Sequence, residues 1–150
     1  QIVTCMDTRL IELLPAALGI KNGDAKIIKN AGGVITHPFG SVVRSLLIAI
    51  YELGVEEILV IGHTDCGVQH MDAENLLENM RKRGISNNAI ESLRYCGIDF
   101  DRWLEGFDDG CVSVAKSVEL LKKHPLIPKD VRIYGFMMDS ISGKLSSVSE

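Results

Sequence analysis

Short apolar runs that are typical of β-strands alternate with helix-like segments along the whole chain. Strands are predicted at residues 1–4, 26–29, 57–62 and 131–137, and residues 144–148 could add a last edge strand. Helices are predicted at residues 10–18, 40–53 and 68–83, in short pieces around Leu93 and Trp103, and over a stretch that includes Cys111 and Leu121. Over residues 40–53 the apolar side chains recur with a period of about 3.6 residues, which indicates an amphipathic helix.

This alternation constrains the fold more than any other feature. Parallel strands need long crossover connections, which are usually helical and right-handed. The order therefore predicts an α/β fold, with a mostly parallel central sheet of four strands plus a possible edge strand and helices on both faces. With 150 residues, the chain is long enough to bury its own core, and we expect residues 1–150 to form a single domain.

Composition argues against several classes of partner. The chain has 16 basic and 20 acidic residues, a formal net charge of −4, and no stripe of Lys and Arg, so we expect no nucleic-acid partner. Its apolar runs are shorter than the roughly 20 residues that span a bilayer, so we expect no membrane partner. Four cysteines without regular spacing, in a chain that can fold without disulfides, indicate a reducing compartment, and we expect the cytoplasm.

Cysteine and histidine residues follow two of the predicted strands at the point where each strand ends. Cys5 follows the first strand, and His63 and Cys66 follow the third. Ligands of α/β proteins bind beyond the carboxyl ends of parallel strands, where neighbouring strands would bring these side chains together. Two thiolates and one imidazole, with no clear fourth ligand, are typical of a catalytic zinc ion that keeps one position open.

Asp7 and Arg9 lie just beyond Cys5. We interpret Asp7 as a carboxylate beside the metal, accepting the proton of a zinc-bound hydroxide, and Arg9 as the guanidinium that grips this carboxylate with two bonds. The alternative is an ordinary surface ion pair. Asp65 could orient His63 or cap the next helix, and the sequence does not decide between these roles.

The other cysteine and histidine residues have simpler interpretations. His70 is the obvious candidate for a fourth ligand, but the helix predicted from residue 68 would carry it away from the site. Cys96 and Cys111 lie on predicted helices and are expected in the core. His37 and His124 adjoin prolines and are expected to be exposed to solvent.

Four motifs together resemble the β-class carbonic anhydrases, in their short prokaryotic-type branch. They are residues 5–10 (CMDTRL), residues 23–25 with 30–33 (GDA and NAGG), residues 44–46 (RSL) and residues 61–67 (IGHTDCG). The motifs follow the family's order over roughly residues 1–67, and the later part of the chain fits more loosely. The chain departs from the family in two respects. We expect the N-terminal helical arm of such proteins to be missing here, and Lys26 and Lys29 replace residues that are often histidine and arginine.

The resemblance implies a zinc enzyme, a carbonic anhydrase, that catalyses the reversible hydration of CO2 to bicarbonate by attack of a zinc-bound hydroxide. It implies that Cys5, His63 and Cys66 hold the Zn2+, that Asp7 and Arg9 form a catalytic dyad, and that no organic cofactor is needed. It also implies a homodimer or a higher homo-oligomer, with the active site near the subunit boundary.

Three alternatives stay open. Hydrolases of carbonyl sulfide or carbon disulfide within the same family keep the same zinc ligands. A closed structural zinc site in a non-enzymatic module would need His70 as its fourth ligand. A redox or sensor protein would need a disulfide between Cys5 and Cys66.

Overall fold

One five-stranded sheet forms the centre of the fold. The structure is a computed structural model that describes residues 1–148, and the elements below are those of this range. The strands are β1 (Ile2–Cys5), β2 (Ile27–Asn30), β3 (Glu57–His63), β4 (Arg132–Met138) and β5 (Leu145–Ser147). The helices are α1 (Leu10–Leu18), α2 (Ser41–Leu53), α3 (Ala73–Lys82), α4 (Asn87–Tyr95), α5 (Phe100–Leu104) and α6 (Gly110–Lys123), with a short 3₁₀ turn at Ala31–Gly33. None of these helices has the length and apolar character needed to cross a membrane.

The order of the strands in the sheet is β2-β1-β3-β4-β5. The first four strands are parallel, and β5 runs antiparallel to β4. The chain therefore moves from β1 to β2 on one side and then returns to place β3 on the other side of β1. Such a reversal opens a crevice at the carboxyl ends of β1 and β3, which is where α/β proteins bind ligands.

Two helices pack on one face of the sheet to form the main core. α2 and α6 contribute to a single apolar cluster with residues of β1, β3 and β4; its members include Val3, Val43, Leu46, Ile58, Val60, Val114, Val118, Leu121 and Ile133. All four residues of β1 are buried, so this interior strand is covered on both faces, as is usual in parallel sheets. The predicted α/β class, the mostly parallel sheet and the edge strand are thereby confirmed.

Side-chain caps determine where four of the helices begin. At the starts of α3, α4, α5 and α6, the residue before the helix accepts a hydrogen bond from the amide three positions on; these caps are Asp72, Ser86, Asp99 and Asp109. The helix predicted from residue 68 therefore begins only at Ala73. His70, whose φ of 58° is left-handed, also interrupts any earlier helix.

The chain divides into two compact units. The first comprises residues 1–67 and the chain from residue 109 onward, and it contains the whole sheet with α1, α2 and α6. The second comprises residues 68–108 and contains α3, α4 and α5, with Leu77, Ile90 and Phe100 in its own core. The single domain expected over residues 1–150 stays a prediction.

Three expectations about side chains are wrong. Cys96 and Cys111 are exposed rather than buried; Cys96 ends α4 and Cys111 lies in the first turn of α6, where neither faces a core. His124 is only 3% exposed rather than solvated. Its Nε2 lies 2.8 Å from the carbonyl oxygen of Pro38, and its Nδ1 accepts a hydrogen bond from the Leu126 amide. The ring thus links the turn after α6 to the loop that contains Pro38.

Candidate metal centre

The three candidate ligands meet in the crevice between β1 and β3. Cys5 is the last residue of β1, His63 is the last residue of β3, and Cys66 lies in the turn that follows. All three side chains belong to buried residues, and their ligand atoms all lie within 4.8 Å of one another. The structure thus brings together the three residues that the order of strands predicted to meet.

The spacing of the two sulfur atoms fits a shared metal ion. Cys5 Sγ and Cys66 Sγ are 3.7 Å apart. Two sulfur atoms that each lie about 2.3 Å from one tetrahedral zinc ion would be about 3.8 Å apart. In a disulfide the two sulfur atoms would be about 2.05 Å apart. Cys5 and Cys66 therefore do not form the disulfide that the redox alternative requires.

The ring of His63 directs one nitrogen to the same place. Its Nδ1 lies 2.8 Å from the carbonyl oxygen of Thr64, and because a carbonyl oxygen can only accept, Nδ1 carries the hydrogen. Nε2 of the neutral ring then has an available lone pair, yet it is buried without a hydrogen-bond partner among residues 1–148. Such a buried acceptor costs about 1–3 kcal/mol, which a metal ion would offset. Two sulfurs and one imidazole nitrogen are a donor set that fits zinc.

A left-handed residue shapes the turn that returns Cys66 to the site. Asp65 has a φ of 52°, a conformation that costs energy for any residue except glycine, although Asp tolerates it better than most. Neither role considered for the Asp65 side chain is observed. The carbonyl of Thr64 orients His63, and Asp72 caps the next helix.

Asp7 and Arg9 form a two-bonded ion pair beside the candidate ligands. Arg9 Nε donates to Asp7 Oδ1 at 3.0 Å, and Nη2 donates to Oδ2 at 2.8 Å. These side-chain hydrogen bonds, together with one from the Arg9 amide, hold the pKa of the Asp7 carboxyl well below its usual range. Asp7 Oδ2 lies 3.9 Å from His63 Nε2. An ionised carboxylate therefore stands next to the point on which the ligand atoms converge.

Arg9 is also held by two other segments of the chain. Its Nη2 donates to the carbonyl oxygen of Asp65 at 2.8 Å, and its Nη1 donates to Ser140 Oγ at 3.4 Å. Ser140 lies in the turn between β4 and β5, and sequence reasoning does not identify it. The signal that could have found it is its position, because it follows the carboxyl end of β4 at the same edge of the sheet.

The segment after β2 packs against the end of β1. Gly33 has a φ of 65°, and a Cβ at this position would lie 2.9 Å from backbone atoms of Thr4 and Cys5. Glycine alone accommodates both the left-handed backbone and this close approach. Gly33 therefore has a structural task, which is to let the loop support the backbone that carries Cys5.

Gly33→Ala should lower the free energy of unfolding by about 2–4 kcal/mol, of which about 1 kcal/mol is left-handed strain and the rest is crowding. Urea unfolding of the variant measures this loss. Gly54→Ala is the matched control, because Gly54 has the same φ of 65° and open space around its missing side chain. If the two substitutions lower the free energy of unfolding by the same amount, the crowding against the backbone of Cys5 is refuted.

His70 does not join the candidate ligands. Within residues 1–148, the group that could hold a metal ion here consists of Cys5, His63 and Cys66. His70 is exposed, and its Nδ1 lies 3.4 Å from Asp108 Oδ1. This group holds three candidate ligands, one fewer than a closed structural zinc site needs.

Comparisons with known proteins agree on one family. Residues 1–145 match the sequence profile of the family described as carbonic anhydrase. YtiB of Bacillus subtilis (strain 168), whose name assigns it provisionally to the carbonic anhydrases, is 49% identical over 147 residues, which are 98% of this chain and 79% of YtiB. The crystal structure of β-carbonic anhydrase isoform I from Trichomonas vaginalis superimposes with a TM-score of 0.90 and 39% identity, covering 98% of this chain and 80% of that one.

An enzyme named for another substrate is also similar. Carbon disulfide hydrolase of Acidianus sp. (strain A1-3) is 34% identical over 150 residues, which cover 92% of this chain and 71% of that protein. The family profile spans β1 to β4 and every residue of the candidate metal centre. The family indicated by the sequence motifs is thereby confirmed, and the chain belongs to the β-carbonic anhydrases.

Proposed function

We propose that this protein catalyses the reversible hydration of CO2 to bicarbonate, with a zinc ion held by Cys5, His63 and Cys66. The observation that carries the proposal is the convergence of two thiol sulfurs and one buried imidazole nitrogen within 4.8 Å. When bound by three protein ligands, zinc supplies a Lewis acid that lowers the pKa of a water molecule in its remaining position.

In this proposal, Asp7 orients the attacking water and does not remove its proton. Because hydrogen bonds from Arg9 hold its pKa well below the usual range, the carboxylate is ionised at neutral pH and is a weak base. Each carboxylate oxygen has two lone pairs, so Oδ2 can accept a hydrogen from water while it accepts one from Arg9 Nη2. This contact would turn a lone pair of the oxygen towards the carbon of CO2. The water would first lose its other proton to solvent, so that the attacking oxygen carries one hydrogen and the product is bicarbonate.

Arg9 has the task of keeping Asp7 in that orientation. Its fork engages both carboxylate oxygens, at 3.0 Å and 2.8 Å, and such a pair resists rotation better than a single hydrogen bond. Asp7 is therefore proposed to stay off the metal, which leaves the fourth position open for water.

Hydrolysis of carbon disulfide or carbonyl sulfide is a second candidate function. It is favoured by the likeness to the Acidianus protein named as a carbon disulfide hydrolase. CO2 and its two sulfur analogues are linear molecules with an electrophilic carbon, so one attacking water and one dyad could serve all three.

Parallel assays on the three gases distinguish these candidates. Protein with quantified zinc is mixed with CO2 in a stopped-flow instrument at about pH 7 and about pH 8.5, and release of hydrogen sulfide from the sulfur compounds is measured under the same conditions. We expect CO2 hydration that is faster at the higher pH, because two thiolates neutralise the ion and leave the pKa of its water above the value of about 7 found with three histidines. Zinc-loaded protein that releases hydrogen sulfide but leaves CO2 unreacted would support the second candidate instead.

We also propose that the chain works as a homodimer or a higher homo-oligomer in the cytoplasm. Three large apolar side chains of the first unit, Met6, Ile11 and Phe39, are each more than half exposed, at 61%, 62% and 65%, and a second copy could cover them. Sedimentation velocity at assay concentration tests the assembly, and a monomer that is fully active would contradict it.

A further inference from the structure

We propose that Ser140 is a positioning residue for the pair formed by Asp7 and Arg9, a role that rests on the function proposed above. Arg9 Nη1 donates to Ser140 Oγ at 3.4 Å. Ser140 is 5% exposed and lies in the turn after β4, whereas Asp7 and Arg9 follow β1. The contact therefore ties the pair to a strand on the far side of β3.

The contacts of the Arg9 guanidinium explain why this contact matters. Nε and Nη2 both donate to Asp7, and Nη2 also donates to the Asp65 carbonyl. Nη1 is the remaining nitrogen of the fork, and it donates to the Ser140 hydroxyl. Without that hydroxyl, Nη1 would lose this anchor and the fork would be held through Nε and Nη2 alone. The guanidinium could then tilt, and Asp7 would move with it.

The Ser140 hydroxyl is itself held in place. It lies 3.1 Å from Thr64 Oγ1, which also accepts a hydrogen bond from the Ser140 amide at 3.0 Å. The carbonyl of Thr64 is the group that orients His63. Thr64 therefore orients the His63 ring through its carbonyl and holds the Ser140 hydroxyl through its own side chain. Through Ser140 and Arg9, it also helps to position the Asp7 carboxylate.

The turn that carries Ser140 is built to be rigid. Asp139 Oδ1 accepts hydrogen bonds from the Ser142 amide, the Ile141 amide and the Ser142 hydroxyl, at 2.7, 3.0 and 2.9 Å. The Ser142 amide is the largest cause of the lowered pKa of the Asp139 carboxyl. A hydroxyl on a fixed turn can restrain a guanidinium, which a hydroxyl on a mobile loop could not do.

Ser140→Ala should lower kcat for CO2 hydration by about 3- to 10-fold, the effect of losing one hydrogen bond of ordinary strength. The contact of 3.4 Å is longer than the usual N–H···O distance, so we expect the lower end of this range. KM and zinc content should not change, because in this proposal Ser140 touches neither the substrate nor the metal. Ser117→Ala is the matched control: Ser117 is equally buried, but its hydroxyl accepts from the Ile35 amide, and kcat should stay at the wild-type value.

A double substitution tests whether Ser140 acts through Asp7. In an Asp7→Asn background the carboxylate is already lost, so adding Ser140→Ala should lower kcat no further. A role in general stability would instead reduce kcat by the same factor in both backgrounds. That result, or a loss of zinc that parallels the loss of kcat, would overturn the proposal.

Hydrogen exchange at Arg9 Nε gives a readout that does not depend on activity. The Nε–H signal is identified in NMR spectra by its absence in Arg9→Lys, and its exchange should be about 3- to 10-fold faster in Ser140→Ala than in wild type or Ser117→Ala. Equal exchange rates would refute the positioning role even if kcat falls.

If wild-type protein with bound zinc hydrates no CO2, the function proposed above fails, and the exchange rates still decide the role of Ser140.

Discussion

Cys66→Ser should leave the purified protein with less than about one tenth of a zinc ion per chain. Removing a residue that hydrogen-bonds to a metal ligand lowers metal affinity about 10- to 100-fold. Removing the ligand itself should lower the affinity further. Serine is nearly isosteric with cysteine, but its hydroxyl stays protonated and cannot replace a thiolate. Mass spectrometry of the metal content after dialysis against a weak chelator measures the loss.

Cys111→Ser is the matched control for this substitution. Cys111 is exposed and lies on α6, so the same chemical change there should leave the zinc content at one per chain. Circular dichroism spectra of both variants establish that they are folded. A Cys66→Ser protein that keeps stoichiometric zinc and full activity would remove Cys66 from the ligand set.

Asp7→Asn should keep zinc and lose about 100-fold in kcat, the loss expected when a group that positions a reacting molecule is removed. Asparagine retains one oxygen for Arg9 Nε but presents an amide donor to Nη2, so the two-bonded pair is broken. Stopped-flow CO2 hydration at matched zinc content measures the change.

The pH dependence of this effect follows from the Asp7 pKa. Because Arg9 depresses that pKa, Asp7 is ionised at and above neutral pH and does not titrate there. The loss in Asp7→Asn should therefore be the same factor at about pH 7 and about pH 8.5. Asp109→Asn removes a charge of the same kind from the helix cap of α6 and should leave kcat unchanged. Unchanged turnover in Asp7→Asn at full zinc content would exclude Asp7 from the reaction.

The meeting of Cys5 and His63 could be predicted because each lies at the carboxyl end of a parallel strand. Cys5 and His63 each end a short apolar run, and right-handed crossovers place the ends of parallel strands at one edge. The observed strands shift by one residue at most at their carboxyl ends, so Cys5 and His63 become the last residues of β1 and β3 rather than the residues after them. The Asp7–Arg9 pairing is local in sequence and could be predicted for that reason.

The features that could not be predicted depend on contacts between distant segments. The position after β4 points to the turn that contains both Ser140 and Ser142, and serine is common in turns. The contact with Arg9 is what identifies Ser140. The hydrogen on His63 Nδ1 follows from a backbone carbonyl whose direction is set by the turn. The expectations for Cys111 and His124 are wrong because exposure near a helix end depends on which segments pack there, which hydrophobic periodicity does not report.

Zinc-edge X-ray absorption of the purified wild-type protein tests the metal centre most directly. We expect one zinc ion per chain, with two sulfur atoms at about 2.3 Å and two nitrogen or oxygen atoms at about 2.0–2.1 Å, one of them exchangeable with solvent. Zinc that is well below one per chain, or a coordination shell that lacks two sulfur atoms, would contradict the assignment of Cys5, His63 and Cys66.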